Sequence, residues 1–181
     1  MLAKRIQPMA LHARRLYVEL MFQVMGRALQ AVSEVDADVQ EEALVLPEGF
    51  LFEMMVMPSG PRLIVEHTGQ GRFHYHGESA PRSVDVSIQF KHIAHAFLVL
   101  SFQEKTSQAF ANDRMLVDGD ISYAVRMTRI LNRLETFILP KLIAKRAVKE
   151  YPESLRLPQK MISAARIYLK VATNFVETVK A

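Results

Sequence analysis

The chain has 181 residues, of which 50% are hydrophobic and 23% are charged, and its formal net charge is +4. This length and composition are typical of one globular domain with helical additions, and they exclude an intrinsically disordered or fibrous protein. Because the sequence has no cysteine, disulfides, thiolate metal sites and cysteine nucleophiles are excluded as well.

Charged residues interrupt the apolar stretches of the first 30 residues, among them Lys4, Arg5, Arg14, Arg15 and Glu19. These stretches are too short for a signal peptide or a membrane span, and no later segment reaches about 18 uninterrupted apolar residues. We therefore expect a soluble, cytoplasmic protein.

The charge is unevenly distributed along the chain. From Ile121 to the C-terminus there are twelve basic and four acidic residues, whereas residues 1–120 carry a net charge of −4. The basic part is expected to face an anionic surface, either lipid headgroups or an acidic partner. Nucleic acid is not expected as a partner, because no aromatic residues alternate with these charges and no binding motif accompanies them.

The N-terminal segment predicts one long amphipathic helix, from about Pro8 to Ser33. Its apolar positions recur at helical spacing, and we expect them to face inward: Leu11, Leu16, Leu20, Val24, Ala28 and Ala31, with Met21, Phe22 and Met25 widening the stripe. The acidic stretch from Asp36 to Glu48 is predicted as a linker or a short helix and a turn. Residues 1–47 are thus an expected helical extension with an acidic linker.

Four strand-length segments follow, at 50–57, 62–67, 72–76 and 84–90, separated by short turns rich in glycine and proline. Turns of this kind predict antiparallel neighbours. The first strand is apolar on both faces, so we expect both to be covered, one by helices and the other by the N-terminal helix or a second subunit.

Two helices are predicted next, at 92–102 and 106–111, and then a fifth strand at 115–117. Gly119 is free to take an unusual backbone conformation, and Asp120 is placed to cap a helix that starts at Ile121. Pro140 breaks that helix, and residues 140–181 are predicted as a basic C-terminal helical extension. The predicted fold class is α/β (α+β), with a five-stranded mostly antiparallel sheet covered by helices and additional helices at both ends.

Several of these elements resemble the sterol carrier protein type 2 family of lipid-binding domains, over roughly residues 48–139. The resemblance rests on the alternating strand Val84–Ile88, the two helices after it, and Met115-Leu116-Val117-Asp118-Gly119-Asp120 before a helix. It implies an apolar tunnel between sheet and helices that takes up acyl chains, sterols or isoprenoids. The extra terminal helices make the chain similar to bacterial accessory lipid carriers of ubiquinone synthesis.

The facing of residues on the predicted helices, together with this resemblance, indicates ten candidate lipid-binding residues. They are Phe97, Leu100, Phe102, Phe110, Leu116, Ile121, Ala124, Val125, Thr128 and Leu131.

A stripe of arginines repeats at helical spacing after Gly119. Arg126, Arg129 and Arg133 form either a solvated helix face or, with Lys141, Lys145 and Arg146, a docking surface for an anionic membrane. Each basic residue near the headgroups is worth about 1 kcal/mol.

Two histidine pairs have spacings that can hold a metal, His74 with His76 and His92 with His95. No Asp or Glu accompanies them at ligand spacing, so surface or hydrogen-bonded histidines are the favoured interpretation. Asp118 and Asp120 could form an acid/base pair, but turn and capping roles explain both. Phosphate-loop, dinucleotide and nucleophile-elbow motifs are absent from the sequence, and we expect no metal, no cofactor and no enzyme activity.

The sequence therefore favours noncovalent carriage of a hydrophobic ligand, driven by roughly 0.8 kcal/mol for each buried CH₂ group. A second hypothesis is an adaptor or scaffold with a collapsed cavity, which binds a partner protein or a second copy of itself through apolar helices. A third, a hydrolase or transferase acting on a lipid, lacks a recognisable nucleophile and base.

Overall fold

A computed structural model of the protein describes residues 3–138. Its elements are α1 (Ala3–Val35), α2 (Ala37–Ala43), β1 (Leu51–Val56), β2 (Arg62–His67), β3 (Phe73–Gly77), β4 (Val86–Phe90), α3 (Ile93–Leu100), α4 (Thr106–Ala111), β5 (Met115–Gly119) and α5 (Ile121–Ile138). The predicted C-terminal extension, with Lys141, Lys145 and Arg146, lies outside the described residues. Within residues 3–138, no helix is both long and apolar enough to cross a membrane.

The five strands form one sheet in the order β3-β2-β1-β4-β5. All neighbouring strands are antiparallel except β1 and β4, which run parallel with Phe52 opposite Val86. The predicted five-stranded, mostly antiparallel sheet is therefore confirmed. The expectation that every short turn joins antiparallel neighbours was wrong after β3, because the chain crosses over to place β4 beside β1. This crossover puts β1, which was predicted to be apolar on both faces, at the centre of the sheet.

One face of the sheet packs against the helices. Phe52 and Met54 of β1 belong to the same buried cluster as Phe22 and Leu29 of α1 and Leu134 of α5. The prediction that the N-terminal helix covers the opposite face was therefore wrong. Leu51, Glu53 and Ile64 lie on that opposite face, since side chains alternate along each strand.

The inward stripe of α1 differs from the predicted one. Leu16 and Leu20 are 67% and 53% exposed, and Leu11 is exposed too. Ala28 and Ala31 are buried as predicted, and so are Phe22 and Met25 at the edge of the predicted stripe. Val18, Leu29 and Val32 complete the buried face, which also has helical spacing. The helix carries two apolar stripes, and its contact with the sheet selects the second.

The junction between β5 and α5 has the predicted geometry. Gly119 has a φ of +106°, and a Cβ at this position would collide with the backbone carbonyl oxygen of Asp85. Only glycine tolerates both the positive φ and the lack of space for a Cβ. The Asp120 carboxylate accepts hydrogen bonds from the backbone N–H groups of Ser122, at 2.6 Å, and Tyr123, at 3.4 Å, which confirms the predicted cap.

Candidate functional site

A cleft of about 600 Å³ lies between α4, α5 and the strands β4 and β5. Most of its wall is apolar, and its lining residues are Ile88, Lys105, Thr106, Ser107, Phe110, Met115, Val117, Ile121, Ala124, Val125, Thr128 and Asn132. Small-molecule sites in proteins are clefts of roughly 300–1,000 Å³ lined mostly by apolar side chains. The cleft therefore has the size and the polarity of a site for an apolar small molecule.

The sequence pattern explains why these side chains point into the cleft. Met115 and Val117 are two residues apart on β5, so they lie on the same face of the sheet. On α5, Ile121, Val125 and Thr128 are separated by four and three residues, so they lie along one face of the helix. The turn at Gly119 starts α5 directly after β5, which brings the two faces together.

A smaller inner pocket of about 40 Å³ adjoins the cleft. The two cavities share five lining residues: Ile88, Thr106, Met115, Thr128 and Asn132. The inner pocket reaches the core, where Met21, Met25 and Met54 form part of its wall. Its volume exceeds the roughly 10–15 Å³ that one water molecule needs, so it has room for a small chemical group.

Eight of the ten predicted lipid-binding residues line these two cavities. Phe110, Ile121, Ala124 and Val125 line the cleft, Leu100, Phe102 and Leu131 line the inner pocket, and Thr128 lines both. Phe110, Ile121 and Val125 are also exposed, which places them at the opening.

The other two predicted residues lie elsewhere. Phe97 packs edge-on against Tyr17 of α1, with ring centroids 5.2 Å apart. Leu116 is 38% exposed and does not line the cleft. The prediction that Leu116 and Ile121 face the same apolar space was wrong, because the alternation on β5 turns Met115 and Val117 to the cleft and Leu116 away from it.

The sequence interpretation missed two polar residues on α5, Asn132 and Glu135. Together with Thr128 they are spaced four and three residues apart, so they form a polar stripe on one helix face. All three line the inner pocket. Burial raises the pKa of the Glu135 carboxyl to about 7, because a poorly hydrated environment disfavours the charged form. The spacing was visible in the sequence and is the signal that could have found them.

The arginine stripe of α5 faces α2 and makes ion pairs with its carboxylates. Arg126 lies 2.6 Å from Glu42, and Arg129 lies 3.5 Å from the same carboxylate. Arg133 pairs with Asp36 at 2.9 Å and with Asp38 at 2.8 Å. The Arg133 side chain is only 12% exposed, so the expectation of a free face, solvated or docked on a membrane, was wrong for it. Membrane docking by Arg126, Arg129, Lys141, Lys145 and Arg146 stays a prediction.

The histidines make local contacts. His76 pairs with Glu66 at 2.6 Å, in agreement with the favoured interpretation of surface or hydrogen-bonded histidines. The Nδ1 atom of His92 accepts the backbone N–H of Ala94 at 3.1 Å and caps α3. In the part of the chain that the structure describes, no group of three or more His, Asp or Glu side chains could hold a metal ion.

No known family profile matches the sequence, and no curated protein matches it. Several solved structures are similar to this chain. The UbiJ-SCP2 ubiquinone synthesis protein is 12% identical, over 71% of this chain and 98% of that chain, with a TM-score of 0.42. Sterol carrier protein 2 from Yarrowia lipolytica in its apo form is 14% identical, over 62% and 88% respectively, with a TM-score of 0.44.

The sterol carrier protein domain 2 of Helicoverpa armigera is 16% identical, over 61% of this chain and 84% of that chain, with a TM-score of 0.41. All three carry the name of the family that the sequence resembles. Similarity at this level supports no inference about a ligand. We therefore infer the function from the geometry of the cleft.

Proposed function

We propose that this protein binds an apolar small molecule noncovalently in the cleft and carries it. The observation that carries this proposal is the cleft of about 600 Å³ with its mostly apolar wall. Such a wall is hydrated when the site is empty, so burying it against an apolar ligand is favourable.

The burial of a chain accounts for the binding energy. A ligand that buries about ten CH₂ groups gains roughly 8 kcal/mol at about 0.8 kcal/mol for each group, before the cost of its lost motional freedom. No covalent bond to the protein is needed. Within residues 3–138, the two cavities are lined by one carboxylate, Glu135, and by no histidine, and the lack of a second acid or base beside it favours carriage over hydrolysis or group transfer.

The proposed lining consists of the eight predicted residues that face the two cavities, together with Ile88, Met115 and Val117. Met21, Met25 and Met54 also line the inner pocket, on its core side. Methionine side chains are flexible and polarizable, so they adapt to ligands of different shape. The narrower form of the proposal is an acyl lipid, a sterol-like molecule or an isoprenoid or quinone precursor, as the sequence resemblance implies.

An adaptor remains the second candidate function, and one observation favours it. Leu16 and Leu20 lie four residues apart on α1 and are both exposed, so they form a small apolar surface that a partner protein or a second copy could cover. The adaptor hypothesis also supposes a collapsed cavity, and an open cleft supports the carrier instead.

Native mass spectrometry of protein extracted mildly from its own host separates the two functions. The carrier is expected to retain an apolar small molecule at one per chain, which organic extraction removes. Protein that is free of any such molecule but bound to a stoichiometric protein partner would contradict carriage and support the adaptor.

A further inference from the structure

The inner pocket is lined on one side by a polar stripe of α5. Thr128 donates its hydroxyl to the backbone carbonyl of Ala124 at 2.9 Å, so it is satisfied within α5. The Asn132 amide and the Glu135 carboxyl make no hydrogen bond or ion pair with any residue in the range 3–138. Asn132 is exposed and Glu135 is half-buried, so no contact within the described residues fixes these two polar groups.

Within residues 3–138, Glu135 is the only charged residue that lines the inner pocket. Among the described residues, the rest of the wall is uncharged, and its polar members are Thr106 of α4 and Thr128 and Asn132 of α5. Its apolar members are Met21, Met25, Met54, Ile88, Phe90, Val99, Leu100, Phe102, Met115, Leu131 and Leu134. Lys105 lines only the outer cleft. The carboxyl is therefore available to a group that a ligand brings with it.

We infer that Asn132 and Glu135 bind the polar end of the ligand, and that this end is a hydroxyl rather than a carboxylate. This inference rests on the proposed function, since it places the apolar chain of the ligand in the cleft. A hydroxyl donates a hydrogen bond to the Glu135 carboxylate and accepts one from the Asn132 amide. The inner pocket, at about 40 Å³, has room for a group of that size.

A ligand that ends in a carboxylate is disfavoured at this position above about pH 7, where the Glu135 carboxyl is ionised. Two carboxylates cannot lie side by side in a poorly hydrated pocket unless they share a proton. A hydrogen bond from a hydroxyl to a charged acceptor is stronger than one to a neutral acceptor. Glu135 therefore selects between two ligands that have the same chain and different ends.

The test uses two fluorescent probes with identical conjugated-polyene chains, a fatty acid and the corresponding primary alcohol. Both are titrated into the full-length protein at about pH 8, where the Glu135 carboxyl is ionised. The alcohol is expected to bind about tenfold more tightly than the acid. In Glu135→Gln the ratio of the two Kd values is expected to shrink at least about fivefold, because an amide accepts a hydrogen bond without repelling a carboxylate.

Glu41→Gln is the matched control, since Glu41 is an exposed carboxylate on α2 that does not line either cavity. It is expected to leave the ratio unchanged, and circular dichroism checks that both variants are folded. A ratio near one, or a ratio that Glu135→Gln leaves unchanged, would overturn the inference while the proposed function stands. Tighter binding of the acid that is lost in Lys105→Met would place the polar end at the mouth of the cleft and overturn it too. If neither probe binds, both this inference and the proposed function are contradicted.

Discussion

The Arg133 guanidinium holds the Asp36 carboxylate in a two-point contact between α5 and the start of α2. Its nitrogens lie 3.3 and 2.9 Å from the two carboxylate oxygens. The same carboxylate caps α2 by accepting the backbone N–H of Val39 at 3.0 Å. Both side chains are nearly buried. This contact fixes α5, the helix that lines the cleft, against the N-terminal helices.

Arg133→Ala is expected to destabilise the protein strongly. The substitution leaves the buried Asp36 carboxylate without its partner, and breaking a buried pair in this way costs about 3–5 kcal/mol of unfolding free energy. Urea denaturation measures the loss. Arg129→Ala is the control, because its guanidinium is 57% exposed and lies 3.5 Å from Glu42, and exposed pairs contribute about 0–1 kcal/mol. Equal losses in the two variants would contradict the structural role of Arg133.

Gly119→Ala is expected to destabilise the junction between β5 and α5. The residue has a positive φ and its Cβ would strike the Asp85 carbonyl, so both backbone strain and a steric clash oppose the substitution. We expect a loss of more than about 2 kcal/mol in urea denaturation.

Gly49→Ala separates these two contributions. Gly49 also has a positive φ, of +79°, but a Cβ there has no neighbour within 4 Å. Its loss is expected to be only about 1 kcal/mol from strain alone. If Gly49→Ala costs as much as Gly119→Ala, then the contact with Asp85 is not the constraint.

Glu135→Gln is expected to stabilise the protein at alkaline pH. The pKa of this carboxyl rises from 4.5 to about 7 on folding, so folding disfavours its ionised form. The resulting penalty in unfolding free energy is absent below pH 4.5, grows as the pH rises from 4.5 to about 7, and is fully present above that. The variant should therefore gain up to about 3 kcal/mol of unfolding free energy at about pH 8.5 and much less at about pH 5.

Urea denaturation at the two pH values measures this difference, with Glu41→Gln as the exposed control. A stability gain that is equal at both pH values would show that the Glu135 pKa is not raised by burial.

Local pattern predicted the elements of this fold better than their arrangement. The bounds of β2 and α4 agree with the predicted segments, and the positive φ of Gly119 and the cap formed by Asp120 are as expected, because these features depend on neighbouring residues alone. The parallel pairing of Phe52 with Val86 is a contact between distant segments, and no local alternation specifies it. In α1 the stripes through Leu16 and through Val18 have equal periodicity, so only the sheet decides between them.

In the candidate site, too, features set by local pattern were predicted better than those set by contacts between distant segments. Ile121, Val125 and Thr128 were predicted from their facing on the helix together with the family resemblance, and the continuous face of α5 places them in the lining of the cleft. Leu116 was assigned to the wrong face, since a three-residue predicted strand does not show which side of the sheet is covered. Glu135 is a single acidic residue within an amphipathic helix, and its position in the pocket depends on the packing of α1 and α3 beside it.

The most direct test of the proposed carrier is to fill the cleft from its rim. Val125→Trp and Leu116→Trp place the same bulky side chain at two positions that are 46% and 38% exposed, and only Val125 lines the cleft. The polyene alcohol probe is titrated into both variants and the unsubstituted protein. We expect Val125→Trp to weaken binding at least about tenfold by occupying the site, and Leu116→Trp to leave the Kd unchanged within about twofold. Unchanged binding in Val125→Trp, or an equal loss in both variants, would contradict a ligand site in the cleft.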